Sequence, residues 1–293
     1  MAVSPSHALG QIAGYMMEQA FFDMILPVAN EFDLFVDRQG PRPARGTRKK
    51  VTWVDDHDNK HDLDFVLERG GSSSMLGRPA AFIESAWRRY TKHSVNKAGE
   101  IANALVPLRR TFRFDRPFLG ALVAGEWTQG GIAHMESQGI NVLHLPVETL
   151  VDAFKVEDID FWFEETTPAE HMAAQVECWS TIGPEGQENV MKALRESAAT
   201  QFDAFATRLR DHLSRRVQSV MILPLHGVAR TAASVAEALT FLSGMQTTKP
   251  SPEDLELLRI EIQVRYSNTD RIEASFSSLA DAIVWLEQNY LDQ

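Results

Sequence analysis

Three short, almost wholly apolar runs constrain this chain more than anything else in it: AAFIESA at 80–86, FLGALVAG at 118–125 and NVLHLP at 141–146. A strand with one wet face alternates apolar and polar residues, whereas a run without alternation belongs to a strand covered on both faces. Helical spacing of apolar residues separates the runs, in VNKAGEIANALVPLRRTF (95–112) and TQGGIAHMESQGI (128–140), and VETLVDAFK follows the last. Strand, helix, strand, helix in that order predicts a sheet with helices on both faces.

Upstream, residues 8–33 read as one or two helices, and RQGPRPARG is a loop by its Pro and Gly content. KKVTWVDD and HDLDFVLERGG alternate and predict a β-hairpin. Downstream, residues 184–218 predict a long amphipathic helix broken once. SVMILPLHG is a strand, SVAEALTFLSGM a helix, residues 257–276 a hairpin and SLADAIVWLEQNY a closing helix; TTKPSPED is a surface connection. The expected fold class is α/β: a mixed β-sheet core flanked by helices over residues 1–156, then a helical and α+β region over 157–293. The boundary is expected in the acidic, aromatic DIDFWFEETTPAEH.

The net charge of −11 seems to exclude nucleic acid, but it is unevenly placed. Residues 1–150 hold 17 Lys and Arg against 17 Asp and Glu, so the whole excess lies beyond them. Within that neutral half, basic clumps at 42–50, 88–97 and 109–116 surround the acidic VDDHDNKHDLD. Such a pattern suits a protein that holds a polyanion over a metal site. The single cysteine, Cys178, has no partner in the chain and predicts a reducing, cytoplasmic setting. The N-terminal residues do not read as a signal peptide, and no apolar run is long enough to span a membrane.

Three acids stand out. Asp64 lies in HDLDFVLE, Glu84 ends AAFIE, and Glu18 sits on a largely apolar face of the first helix; Asp62 shares a strand face with Asp64. If the strands bearing Asp64 and Glu84 pair, two like charges meet and raise each other's pKa. A hard divalent cation removes that penalty: Mg²⁺ accepts one or two carboxylates and leaves its other positions to water and phosphate oxygens. Arg88 and Arg89 follow Glu84 directly and are candidate phosphate contacts. Arg45, Arg48, Lys49 and Lys50 form a basic insertion able to enter a DNA groove.

The order α-β-β-β-α-β, with Asp64 on one strand and Glu84 on the next, resembles the PD-(D/E)xK nuclease superfamily, which includes type II restriction endonucleases. The likeness covers about residues 8–155. It implies a restriction-endonuclease-like core and Mg²⁺-dependent hydrolysis of double-stranded DNA, with Mn²⁺ as a substitute, in a restriction or defence role, by a homodimer. It also implies a metal role for Asp64, Glu84 and the helix-borne Glu18. The family's lysine should stand two residues after Glu84, where this chain has Ala86. Lys97, and after it Lys92, are the replacements the resemblance suggests, with Glu100 as an additional ligand. A chain without a working lysine would be an inactive nuclease-fold module that binds DNA or protein.

Other motifs are weaker. His57 and His61 have metal-pair spacing but lack a third ligand nearby. Gly70–Ser74 lacks the lysine of a phosphate loop. Trp87, Trp127 and His226 read as core residues.

Overall fold

The computed structural model describes residues 4–225, 228–247 and 259–290; His226 and most of TTKPSPED lie outside them. The chain forms two compact units, Met1–Arg210 and Asp211–Gln293. The division therefore falls well beyond 156/157, because residues 157–210 pack with the first unit. Among the described residues no helix is long and apolar enough to cross a membrane.

The first unit is built on a five-stranded mixed sheet. Its strands are β1 (Leu34–Arg38), β4 (Phe65–Arg69), β5 (Arg78–Arg88), β6 (Phe118–Gly125) and β7 (Asn141–Leu145), in the spatial order β1-β4-β5-β6-β7. The β1–β4 and β4–β5 pairs are antiparallel, and β5–β6 and β6–β7 are parallel. The apolar runs take the positions their composition demands: β5 is central, and every residue of β6 is buried. One face carries α1 (Pro5–Glu31), where Phe21 meets Phe65 at 5.2 Å between ring centroids. The other carries α2 (Ser94–Thr111), which continues through Pro107 and packs Ala98, Ile101 and Leu105 against Phe82 and Ala86. Helices α3 (Gln129–Ser137) and α4 (Val147–Phe154) flank β7 in sequence, and Gly139 closes the α3 turn at φ +73°.

Two features depart from the sequence reading. β1 is not foreseen there; it is a short strand that adds to the free edge of β4. The expected hairpin is also cut in two. β2 (Val51–Val54) pairs with β3 (Lys60–Leu63) in a separate two-stranded ribbon, and the chain re-enters the main sheet at Phe65. Trp53 of the ribbon stands edge-on to Phe82 and Phe112, each 5.2 Å away, which ties the ribbon to the α2 side of the sheet. Asp64 is the single residue between the two ladders.

After α4 the chain returns beneath the end of β5. Ile159, Phe161 and Phe163 are buried, and Phe161 stacks on Phe154 at 4.2 Å. An unforeseen helix, α5 (Ala169–Thr181), precedes α6 (Gly183–Ser197) and α7 (Ala199–Leu213); the expected single break in the long helix falls at Ala198. The second unit is an antiparallel sheet in the order β11-β10-β8-β9, from β8 (Val217–Pro224), β9 (Arg230–Ala232), β10 (Ile260–Tyr266) and β11 (Arg271–Phe276). Helices α8 (Val235–Thr247) and α9 (Leu279–Tyr290) complete it.

Candidate active site

The site lies on β5 where its pairing with β4 stops: the register ends at Phe65 with Ile83, and Asp64 and Glu84 are the residues just beyond it. Glu84 does not end its strand, because β5 runs on beside β6 to Arg88. Glu84 shares its sheet face with Phe82 and Ala86, toward α2. Ser85 takes the opposite face, toward α1. Gly125, at φ +90°, lets β6 close on this end: a Cβ there would lie 2.1 Å from the Arg88 carbonyl oxygen, which accepts from the Glu126 N–H at 2.7 Å.

Asp64 and Glu18 meet through Ser85. The Asp64 Oδ2 atom accepts from the Ser85 backbone N–H at 2.6 Å and lies 2.8 Å from Ser85 Oγ. Ser85 Oγ is also 2.7 Å from Glu18 Oε1. One hydroxyl proton cannot serve both carboxylates at once. Burial raises the Glu18 pKa, repulsion from Asp64 adds to the rise, and the Ser85 hydrogen bond opposes it. Glu84 is the most perturbed acid. Burial, then repulsion from Asp64, pushes its carboxyl up to about 8 against a partial offset from Lys97. It is 9% exposed, and its Oε1 is buried with no hydrogen-bond partner. A carboxyl kept in an apolar place without a partner costs stability.

A cleft of about 410 Å³ opens on the α1 side of this cluster. Its floor is a row at four-residue spacing on α1, Ser6, Gly10, Gly14 and Glu18, whose small members leave room above the helix. Trp87, Arg88 and Lys97 line the other side. Of the two residues named for α2, Lys97 acts on Glu84 and lines the cleft, while the well-exposed Glu100 pairs with Lys97 at 3.0 Å. The acids offer only oxygen donors, which suit a hard cation rather than zinc. Among the described residues no three of His, Cys, Asp and Glu converge closely enough to hold an ion together.

The remaining candidates separate. Lys92 is exposed and bonds Glu165 at 2.5 Å, outside the residues that line the cleft. Arg89 points away from the acids into aromatic surroundings, with its side chain only 9% exposed. Arg45 is not a surface cation: it is buried and donates to the carbonyls of Arg38, Gly40 and Lys49, so a DNA contact from it is ruled out. Lys50 bonds Asp62 at 2.6 Å on the ribbon, and Thr52 Oγ1 donates to the same Asp62, whose charge still adds to the rise of the Glu84 pKa. Arg48 and Lys49 are exposed. His61 Nε2 is 3.0 Å from Asp55 Oδ2, within a turn organised by Asp55. Trp127 is core, donating to the Ala124 carbonyl at 3.1 Å. The sequence reading misses Ser85 and the α1 row. The row has a signal, small residues at four-residue spacing ending on Glu18. Ser85 has none beyond its place after Glu84.

No family model matches the chain, and a search of curated proteins finds no match. A solved structure described as "Protein of Unknown Function AF1548" aligns at 11% identity over 66% of this chain and 99% of that chain, with a TM-score of 0.30. A likeness of that size assigns neither fold nor activity.

Proposed function

We propose that the chain is a divalent-cation-dependent nuclease that hydrolyses phosphodiester bonds of double-stranded DNA, of the PD-(D/E)xK kind and in a restriction or defence role. The observation that carries this reading is the buried Glu84 carboxyl within the central strand, whose Oε1 has no hydrogen-bond partner, beside Asp64 and with Lys97 near it. Asp64 and Glu84 would hold Mg²⁺ or Mn²⁺, with Glu18 joining from α1 through the group now shared at Ser85. When bound, the cation supplies positive charge at the phosphate and makes water a better nucleophile at neutral pH. Lys97 takes the part of the lysine that Ala86 cannot play, donating to the incoming oxygen and balancing Glu84. Arg88, which lines the same cleft, contacts phosphate, and the exposed Arg48 and Lys49 extend that contact along the backbone. Cutting both strands requires two such centres, which a homodimer on the duplex provides.

The test is plasmid cleavage with Mg²⁺ or Mn²⁺. Glu84→Ala and Asp64→Asn should each lower cleavage by roughly 10²–10³-fold, while plasmid binding persists. Undiminished cleavage by Glu84→Ala would reject the site. A second reading is a non-catalytic module that binds DNA or a protein partner, favoured by Ala86 and by the Lys97–Glu100 pair. It is the outcome if the wild-type protein binds plasmid but leaves it intact with either cation.

A further inference from the structure

We propose that a second cavity, on the far side of β5's end, is a pocket for an unpaired nucleobase bearing an exocyclic amino group. The proposal rests on the reading of DNA as substrate and names which DNA the site prefers. Arg88 and Arg89 are consecutive, and they diverge: Arg88 lines the acid cleft, and Arg89 lines a cavity of about 410 Å³ with Tyr90, Glu126, Trp162, Glu164 and Glu165. Two consecutive residues thus place one arginine in each cavity.

Arg89 is the unusual member. Its side chain is more than nine-tenths buried, and its Nε has no hydrogen-bond partner. The guanidinium lies 4.7 Å from the Trp162 ring centroid, 5.4 Å from Phe163 and 5.5 Å from Tyr90. Its ion partner, Glu126, is 3.9 Å away, beyond hydrogen-bond range. The fold places a strong donor here and leaves it short of acceptors. Trp162 presents the opposite anomaly, an indole 41% exposed on a segment whose flanking Phe161 and Phe163 are locked in the core. The Phe154–Phe161 stack and the bond from the Trp162 backbone N–H to Asp160 Oδ1 at 3.1 Å hold that segment in place.

The chemistry of the lining selects the ligand. A second cation is disfavoured, because Arg89 already holds one face of Trp162 and stands near Tyr90. A phosphate is disfavoured by Glu126 and Glu164, whereas Glu165 is paired with Lys92. A neutral ring stacked on Trp162 fits both constraints: its N–H groups meet acceptor-only carboxylates, and its carbonyl or ring nitrogen meets Arg89. Cytosine, adenine and guanine carry an amino donor beside such an acceptor. A paired base cannot enter, so the pocket favours a base that is single-stranded, mismatched or otherwise cheap to extrude.

The experiment uses the full chain in EDTA, with fluorescence anisotropy on a labelled single-stranded oligodeoxycytidine and on an abasic strand of equal length. The wild type should bind the cytidine strand roughly tenfold tighter. Trp162→Ala should lower that affinity to the abasic level and leave abasic binding unchanged, while Trp162→Phe keeps most of the preference. Equal wild-type binding of the two strands, an unaltered preference in Trp162→Ala, or an equal loss on both strands overturns the pocket. Plasmid cleavage by Glu84→Ala, run in parallel, separates the two readings. If that variant is inactive and Trp162→Ala keeps its preference, the pocket alone fails. If that variant cleaves normally and Trp162→Ala loses the preference, the nuclease site fails and the pocket stands.

Discussion

The residues of β4 border two buried charge clusters, and the clusters are built on opposite rules. At one end Glu68 and Asp37 face Arg42 and Arg45. Arg42 grips Glu68 at 2.7 and 2.8 Å, meets Asp37 at 2.7 Å, and spends its other N–H groups on the carbonyls of Ser72 and Met75. The Gly77 N–H also donates to Glu68 at 2.7 Å. At the other end Asp64 joins Glu18 and Glu84, three acids with one nearby lysine and one shared serine hydroxyl. The first cluster sets two arginines against two acids, although burial still raises the Asp37 pKa, and it pins the basic loop 39–50 to the sheet. The second holds negative charge in poor surroundings. Strongly perturbed groups in a cleft are candidates for working sites, although structural ion-pair networks perturb pKa values too.

The largest test of the contrast is Arg42→Ala. It leaves two carboxylates buried without their partner and should cost about 3–5 kcal/mol in urea unfolding, with no change in Mg²⁺ affinity. A loss below about 1 kcal/mol would mean that the cluster behaves like a surface ion pair and that the contrast is false. Glu84→Gln should act the other way. The Glu84 carboxyl sits near 8 in the folded chain against an ordinary 4.5. The folded state thus keeps a proton that the unfolded chain releases between those values. Stability is complete below the lower value and is lost as pH rises through the upper one. One unit is worth about 1.4 kcal/mol, so the effect should reach several kcal/mol. Thermal melts across this range without divalent ion should show the wild type weakening with pH and Glu84→Gln holding steady. Mg²⁺ should then raise the wild-type melting temperature most at the alkaline end. A wild type indifferent to pH there contradicts the charge accounting.

The two lysines sharpen the comparison further. Lys97→Met should slow cleavage by roughly 10²-fold and shift its pH profile, because Lys97 faces the acids. Lys92→Met should leave cleavage unchanged, because its partner is the exposed Glu165. Equal losses from both would place the cleft wrongly.

Much of this architecture is legible in the amino-acid sequence itself. Covered strands such as β5 and β6 announce themselves by unbroken apolar runs, and the acid in β5 is conspicuous because burial without a partner is costly, although β5 runs on past Glu84 to Arg88. Arg45 is misread for a physical reason: Pro, Gly and basic residues look the same whether a loop faces water or folds onto Asp37 and Glu68, and only the tertiary pairing decides. β1 is invisible because a five-residue edge strand has too few positions for a pattern. Residues 157–210 are misassigned because an acidic stretch resembles a linker, although Phe161 and Phe163 anchor it in the core. Asp64 is recognisable, but its place at a break between two sheets is not, because β3 and β4 are contiguous and both read as strand.

Ser85 is the finest test of how the acidic cluster is held. Its backbone N–H keeps Asp64 in place whatever the side chain is, while its hydroxyl links Asp64 to Glu18. Ser85→Ala therefore removes one shared hydrogen bond and leaves the acids where they are. The net loss should be about 1 kcal/mol in the absence of divalent ion. If the hydroxyl stands in for a cation between two carboxylates, Mg²⁺ should make up most of that loss, and the variant's melting temperature should approach the wild type's as Mg²⁺ is added. A deficit that persists at saturating Mg²⁺ would show that Ser85 Oγ is structural in its own right. It would separate Glu18 from the cation site and leave Asp64 and Glu84 as the pair that holds the ion.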